Sequence, residues 1–274
     1  MNELLPRFER LRELKACPLC GNEAFQIIVS EDEFIRELVE REEMKSTFYK
    51  KGRKPNLQYV QIYPSSICEC EKCGLGFRNK IPYANDASDV YKKESLPEEY
   101  REAWEISWEP IFNRFLNVLE ILIPNKGRLL DIGSQFGFFP YLAQQRGWIT
   151  EGVDPNLYTY QIGLSRGVKM FPMTFAEFKA NEETYEAITA WLVYENLPDF
   201  LSDTQKIFGL LKPYGVFALK LVNFEFYKKY RAHFMQNALG KKALARLHLM
   251  GYPYQFGFSP ELFKHYLQKL DLEK

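Results

Sequence analysis

The stretch "RLLDIGSQFGFFPYLAQQRGWITEGVDPN", residues 128–156, constrains the fold more than any other part of the chain. A short apolar run enters a glycine turn, an amphipathic helical pattern follows, and a second strand pattern ends at Asp154. Such a strand–turn–helix–strand unit opens an α/β sheet and places its ligand at the carboxyl ends of the strands. The turn does not follow the dinucleotide pattern. Where G-x-G-x-x-G would bring three glycines to a pyrophosphate, this chain has Gly133, Gln135 and Phe138. Asp131 beside the turn would repel phosphate, which disfavours an NAD-linked oxidoreductase and favours a cationic ligand without phosphates. Asp154, closing the second strand, is placed to accept both hydroxyls of a ribose.

Beyond this unit, strand patterns at 128–132, 149–153, 168–171, 185–190 and 215–222 alternate with helical patterns at 138–146, 156–165, 199–211 and 260–269. That alternation predicts a Rossmann-like, doubly wound α/β fold with a mostly parallel sheet. Ahead of it, "PEEYREAWEISWEPIFNRFLNVLEILIP" has helical spacing, and its aromatic stripe of Trp104, Trp108, Phe112 and Phe115 reads as core packing. The segment "NKIPYANDASDVYKKESLPEEY" reads as a turn-rich connection.

The five cysteines divide the chain further. Cys17-Pro18-Leu19-Cys20-Gly21 and Cys70-Glu71-Lys72-Cys73-Gly74 repeat one knuckle design, and two knuckles together form the four-thiolate cage that Zn²⁺ prefers. Cys68 lies within reach of the second pair, but Cys70 and Cys73 repeat the first knuckle's spacing and glycine. Four thiolates leave no open coordination position, so the metal's role is structural. The flanks "AFQIIVS" and "QYVQIYPSSIC" alternate like hairpin strands, and residues 31–57 read as an inserted helix and loop. The expected organisation is a small zinc-ribbon-like module over 1–88 and the α/β domain over 89–274.

Lys+Arg and Asp+Glu each number 36, so net charge argues against a nucleic-acid or anionic-membrane partner. The start "MNELLPRFERLRELKA" reads as a surface helix rather than a signal peptide, and no window approaches the ~20 apolar residues of a membrane span. A cytoplasmic protein with reduced thiols is expected.

Together "LLDIGSQFG", "GVDPN", "YEAITAWLVYENLPD", "LLKPYGVFALKLVN" and the "CEKCGLGFRNK" leading into them resemble the class I S-adenosylmethionine-dependent methyltransferases, in the branch with an N-terminal cysteine-knuckle module. The resemblance runs from "CPLCG" to about "FSPELFKHYL". It implies that Asp131, Gly133 and Gly137 line the methionine side of S-adenosylmethionine and that Asp154 binds its ribose. Thr174, within Met173-Thr174-Phe175, would lie near adenine, and Trp191, within Ala190–Leu192, would border the sulfonium.

The chain departs from the family pattern in several places. Gln135 stands for the middle loop glycine, where its side chain would point away from the cofactor or bond its carboxylate. Glu195-Asn196 stands where the family often has Glu-His, and Tyr214 replaces a turn glycine. Only "LDLEK" follows the last helix, too short for the family's closing hairpin. Asn cannot take a proton near neutral pH, so candidates for a catalytic base are Glu195, Tyr194, Tyr254 and the histidines His233, His248 and His265. Glu195, Tyr254 and His248 lead. Tyr254 stands about where relatives carry His, and His248 falls in the aromatic-rich segment 224–257 inserted after the fifth strand. The expected function is methyl transfer to a small molecule, with a sugar or glycan precursor as acceptor by analogy. The alternative is a binding or scaffold protein that keeps the fold without turnover, favoured by Gln135, Asn196 and the short C-terminus.

Overall fold

Short strands can be stable only by pairing across the chain, and the amino-terminal part of the protein is built that way. The structure is a computed structural model that describes residues 10–34, 63–93, 98–237, 240 and 255–270. It divides into two units, Met1–Asp86 with Leu221–Asp271 and Ala87–Lys220 with Leu272–Lys274.

In the first unit β1 (Leu11–Glu13) pairs antiparallel with β5 (Lys80–Pro82). A second antiparallel sheet takes β2 (Phe25–Val29), β3 (Ile67–Cys70), β4 (Gly76–Arg78) and β11 (Phe256–Gly257), the last two joined by the pair Phe256↔Phe77. Two sequence expectations are corrected here. Residues 11–13 form a strand rather than part of a surface helix, and the "turn-rich" connection holds β5 and a helix, α1 (Ala84–Lys93). Of the expected helical insertion, residues 31–34 are helical and 35–57 lie outside the described residues.

The second unit opens with α2 (Glu98–Leu122), which presents Trp108, Phe112, Leu116 and Leu119 to the core. The sheet strands are β6 (Arg128–Ile132), β7 (Ile149–Val153), β8 (Lys169–Phe171), β9 (Tyr185–Trp191) and β10 (Leu211–Lys220). Between them come α3 (Phe138–Gln145), α4 (Leu157–Ser165) and α5 (Phe200–Leu210). Two further helices, α6 (Phe224–Phe234) and α7 (Pro260–Lys269), belong to the first unit.

The five strands are all parallel, in the order β10-β9-β6-β7-β8. Parallel strands are buried on both faces, so they are written as near-continuous apolar runs rather than alternations. Leu129, Ala187, Val216 and Ala218 pack with α2 and α3, whereas Phe217 of β10 meets Phe208 of α5. This is the doubly wound Rossmann-like architecture expected. The chain lays down β6, β7 and β8 in one direction and returns to place β9 on the other side of β6. That reversal makes the carboxyl ends of β6 and β9 a topological switch point, where such sheets hold ligands. Among the described residues no helix is long and apolar enough to cross a membrane.

One buried acid ties four strands together. The Glu151 carboxylate on β7 accepts from Arg128 Nη2 at 2.7 Å, Lys169 Nζ at 2.8 Å and Tyr185 OH at 2.5 Å. Burial pushes its carboxyl up, but the Lys169 and Tyr185 hydrogen bonds and the Arg128 charge outweigh this and hold it below the ordinary range. A depressed carboxyl stabilises the fold above its unfolded pKa and loses that contribution as pH falls. Glu151→Ala, leaving the buried Tyr185 hydroxyl without its acceptor, should cost about 2–3 kcal/mol at pH 7 in urea unfolding. The gap between the two proteins should narrow as pH drops below the ordinary glutamate value of 4.5.

Candidate functional site

The turn leaving β6 passes through the left-handed region three times, at Gly133 (φ 68°), Gln135 (φ 45°) and Gly137 (φ 65°), before α3 begins. Gly133 and Ser134 donate their N–H groups to Val153 O at 2.8 and 3.2 Å, which fastens the turn across to the end of β7. A Cβ on Gly133 would stand 2.3 Å from Val193 Cγ2, so this position has no room for a side chain as well as an unfavourable φ for one. Gln135 has replaced a glycine at a conformation that costs a non-glycine residue roughly 1–2 kcal/mol. Its side chain is exposed, and the part of it the site uses is the backbone N–H, donated to Asp154 Oδ2 at 2.9 Å.

Asp154 is therefore held from two sides. Oδ1 accepts from Asn156 N at 3.0 Å and Thr159 Oγ1 at 3.2 Å, while Oδ2 accepts from Gln135. A carboxylate offers about four acceptor positions, so three donors leave about one. The Thr159 hydroxyl also lies 3.1 Å from Asn156 O and can turn to that acceptor, which frees a second position. A ribose diol fits this arrangement on one condition, the rotation of a single hydroxyl. Burial raises the Asp154 carboxyl, against the pull of the Asn156 and Gln135 N–H groups.

Asp131, on β6, is 1% exposed and accepts from Thr189 Oγ1 of β9 at 2.6 Å. Burial pushes it up to about 8, opposed by Thr189 and reinforced by the negative charge of Asp154. Two acids buried near one another in this way are stabilised in their ionised forms by a cation.

The structure thus brings Asp131, Gly133, Gln135, Gly137 and Asp154 to one turn. Trp191 ends β9 beside them, but its indole is packed away in the core, stacked on Phe115 at 4.4 Å and edge-on to Phe139 at 4.8 Å. Thr174 spends its hydroxyl on Glu177 Oε2 at 2.8 Å, in a local capping arrangement. Glu195 is 1% exposed in the short 3₁₀ helix Tyr194–Asn196 that follows β9, and the neighbouring Tyr194 hydroxyl lies 2.5 Å from Thr204 Oγ1. His233 and His265 are exposed on α6 and α7, and Tyr254 and His248 lie outside the described residues. Sequence reasoning missed Thr189, Thr159 and Val193. Thr189 carried a readable signal, being a polar residue in an apolar strand run, whereas Val193 is recognisable only from its contact.

In the first unit the thiols of Cys17, Cys20, Cys70 and Cys73 lie within 4.8 Å of one another, with Cys17–Cys73 at 3.5 Å and Cys20–Cys70 at 3.6 Å. A tetrahedron with Zn–S bonds of about 2.3 Å has edges of about 3.8 Å, so the four sulfurs fit a zinc ion. Each knuckle closes alike, Gly21 N donating to Cys17 O and Gly74 N to Cys70 O, both at 2.9 Å. Cys68 is fully buried in β3 and stands outside the cluster.

A family model described as "Methyltransferase domain" matches residues 100–273. No curated protein matches the chain in sequence. Among solved structures it is similar to a SAM-dependent methyltransferase from Thermotoga maritima, with 19% identity, 62% of this chain and 75% of that one covered, and a TM-score of 0.45. It is also similar to SAM-bound CalS10, an amino pentose methyltransferase from Micromonospora echinaspora, with 19% identity, 46% and 57% covered, and a TM-score of 0.41.

The two left-handed positions of the turn should respond in opposite ways to substitution. Gly133→Ala meets both the φ penalty and the Val193 side chain and should lose about 2–4 kcal/mol in urea unfolding. Gln135→Gly removes strain but adds unfolded-state entropy, and should fall between neutral and about 1 kcal/mol more stable.

Proposed function

This chain belongs to the methyltransferase-domain family, and from that premise we propose that it binds S-adenosylmethionine on the turn after β6 and passes the methyl group to a small-molecule acceptor. The observation that carries the reading is the pair of buried acids, Asp131 and Asp154, at adjoining strand tips. Asp131, raised by burial, gains most from a ligand with an ammonium and a sulfonium. Asp154, with one acceptor position open and a second released by Thr159, suits the ribose diol.

When bound, S-adenosylmethionine supplies a methyl group on a good leaving group, so the protein's task is alignment and exclusion of water. Gly133 lets the turn close against Val193, and the Asp154 carboxylate fixes the ribose end. Glu195, buried just after β9, is the candidate to hold a proton taken from the acceptor, since Asn196 cannot. A sugar or glycan precursor remains the acceptor class of this proposal, and the amino pentose named for CalS10 is of that kind. The second reading, a binding protein without turnover, draws on Asn196, which cannot take a proton at a position where the family often has His. The four-cysteine cluster is proposed to hold one structural Zn²⁺.

Calorimetric titration with S-adenosylmethionine should show saturable binding that weakens at least about tenfold in Asp154→Ala. No heat in the wild type would sink the proposal, and binding without turnover over a broad acceptor panel would favour the second reading. Ionising Asp131 on binding releases a proton. The ratio of wild-type to Asp131→Asn affinity should therefore rise with pH and level off above about 8. The ligand's own amine titrates equally in both proteins and cancels from the comparison. Metal analysis should find about one zinc per chain, lost in Cys17→Ser.

A further inference from the structure

Lys220 ends β10 at the same carboxyl edge of the sheet as Trp191, its register partner, and Leu192 N donates to Lys220 O at 3.0 Å. Paired residues on parallel strands project to the same face, so Lys220 shares with Trp191 the face covered by α2. There its ammonium lies 4.4 Å from the centre of the Trp108 ring, on which Trp104 stacks at 5.6 Å. Lys220 is half-buried, and its ammonium makes no hydrogen bond or ion pair among the described residues. Lys179, also without such a partner among the described residues, is exposed to water, whereas four other lysines of this unit are answered. Lys169 and Lys212 meet carboxylates, and Lys126 and Lys206 meet carbonyl oxygens. An aromatic face offsets only part of the hydration an ammonium loses on burial. Burial accordingly pushes Lys220 below the ordinary lysine range, and the nearby Glu195 charge pushes it back. Lys206 and Lys169 also lie over aromatic rings, but each has an oxygen partner as well, which Lys220 lacks among the described residues.

We infer that Lys220 is a specificity-determining residue, which takes an anionic oxygen of the methyl acceptor while Trp108 walls the same subsite. This rests on the methyl-transfer reading above and narrows it to acceptors that carry a carboxylate or a phosphate. The cofactor's own carboxylate is the competing anion. Lys220 stands on β10, two strands from β6, and neighbouring strands are about 4.8 Å apart. That separation favours the acceptor.

The test follows tryptophan fluorescence of the full chain on addition of glucose, glucuronate or uridine diphosphate–glucose, with and without saturating S-adenosylhomocysteine. The expected result is binding of at least one anionic probe about tenfold or more tighter than glucose. Glucuronate against the nucleotide sugar tells carboxylate from phosphate. Lys220→Met should abolish the preference, Lys220→Arg should keep it within about threefold, and both should hold S-adenosylhomocysteine within about twofold of the wild type. The inference is overturned by equal binding of glucose, by no response to either anion, or by a preference that survives in Lys220→Met. Weakened S-adenosylhomocysteine binding in Lys220→Met also overturns it, since the lysine would then serve the cofactor. Because the anions are also tested alone, failure of the wild type to bind S-adenosylhomocysteine counts against the parent reading separately. Thermal melts of both variants exclude misfolding as the source of a loss.

Discussion

The hydrogen bond from Gln135 N–H to Asp154 joins the turn leaving one strand to the tip of the next, and the rest of the site is arranged around it. It explains why glutamine can occupy a position where this kind of turn ordinarily has glycine. The site needs a backbone N–H held in a left-handed bend, and the side chain, being exposed, plays no part in that contact. What a glycine would have contributed is conformational ease, and its absence is a cost to the fold of order 1 kcal/mol. Gly133 is different. Its place is crowded by Val193, so both its φ and its lack of a side chain are required.

Charge is distributed unevenly along the carboxyl edge of the sheet. Two buried acids stand at the tips of β6 and β7, where burial works against their ionisation and no cation is paired with either among the described residues. At the tip of β10 the sign is reversed, with the Lys220 ammonium held against the Trp108 ring and the Glu195 charge nearby but not in direct contact. By contrast, Glu151 is matched by Arg128 and Lys169, and Glu186 by Lys212. On the proposed methyl-transfer reading, the counter-charges missing along this edge would come from the ligands. A cationic cofactor at one end and an anionic acceptor at the other would complete it.

Much of this was legible in the sequence, for a physical reason. The expected strands at 128–132 and 149–153 match β6 and β7 residue for residue, because the glycine turn after Ile132 and the Asp154-Pro155 break after Val153 mark where each strand ends. The long helix α2 and its aromatic stripe were legible through their 3.6-residue period. Short strands were not. Leu11–Glu13 and Lys80–Pro82 are each three residues long and owe their conformation to one another, a pairing that spans the whole cysteine module and leaves no local pattern. Within the site, Asp131, Asp154 and the turn glycines could be read because motif and position coincide. Their partners could not, since the Thr189–Asp131 contact joins residues 58 apart in the chain. Trp191 shows the limit of position alone. Its backbone reaches the strand tip as expected while its indole belongs to the core.

That last arrangement bears on how the site keeps its shape. Trp191 is locked among Phe112, Phe115 and Phe139, and the next residue, Leu192, takes a left-handed φ of 58°. Leucine adopts that conformation only under constraint, at a cost of about 1–2 kcal/mol. The constraint is visible on both sides. The indole fixes the chain before Leu192, and the packing of Val193 on Gly133 fixes it after. Reversing the chain at Leu192 is what turns it out of the sheet and into the 3₁₀ helix that carries Glu195. The aromatic core between α2 and α3 therefore does more than stabilise the unit. It sets, through one strained residue, where the buried carboxylate of Glu195 stands relative to the turn that the cofactor would occupy.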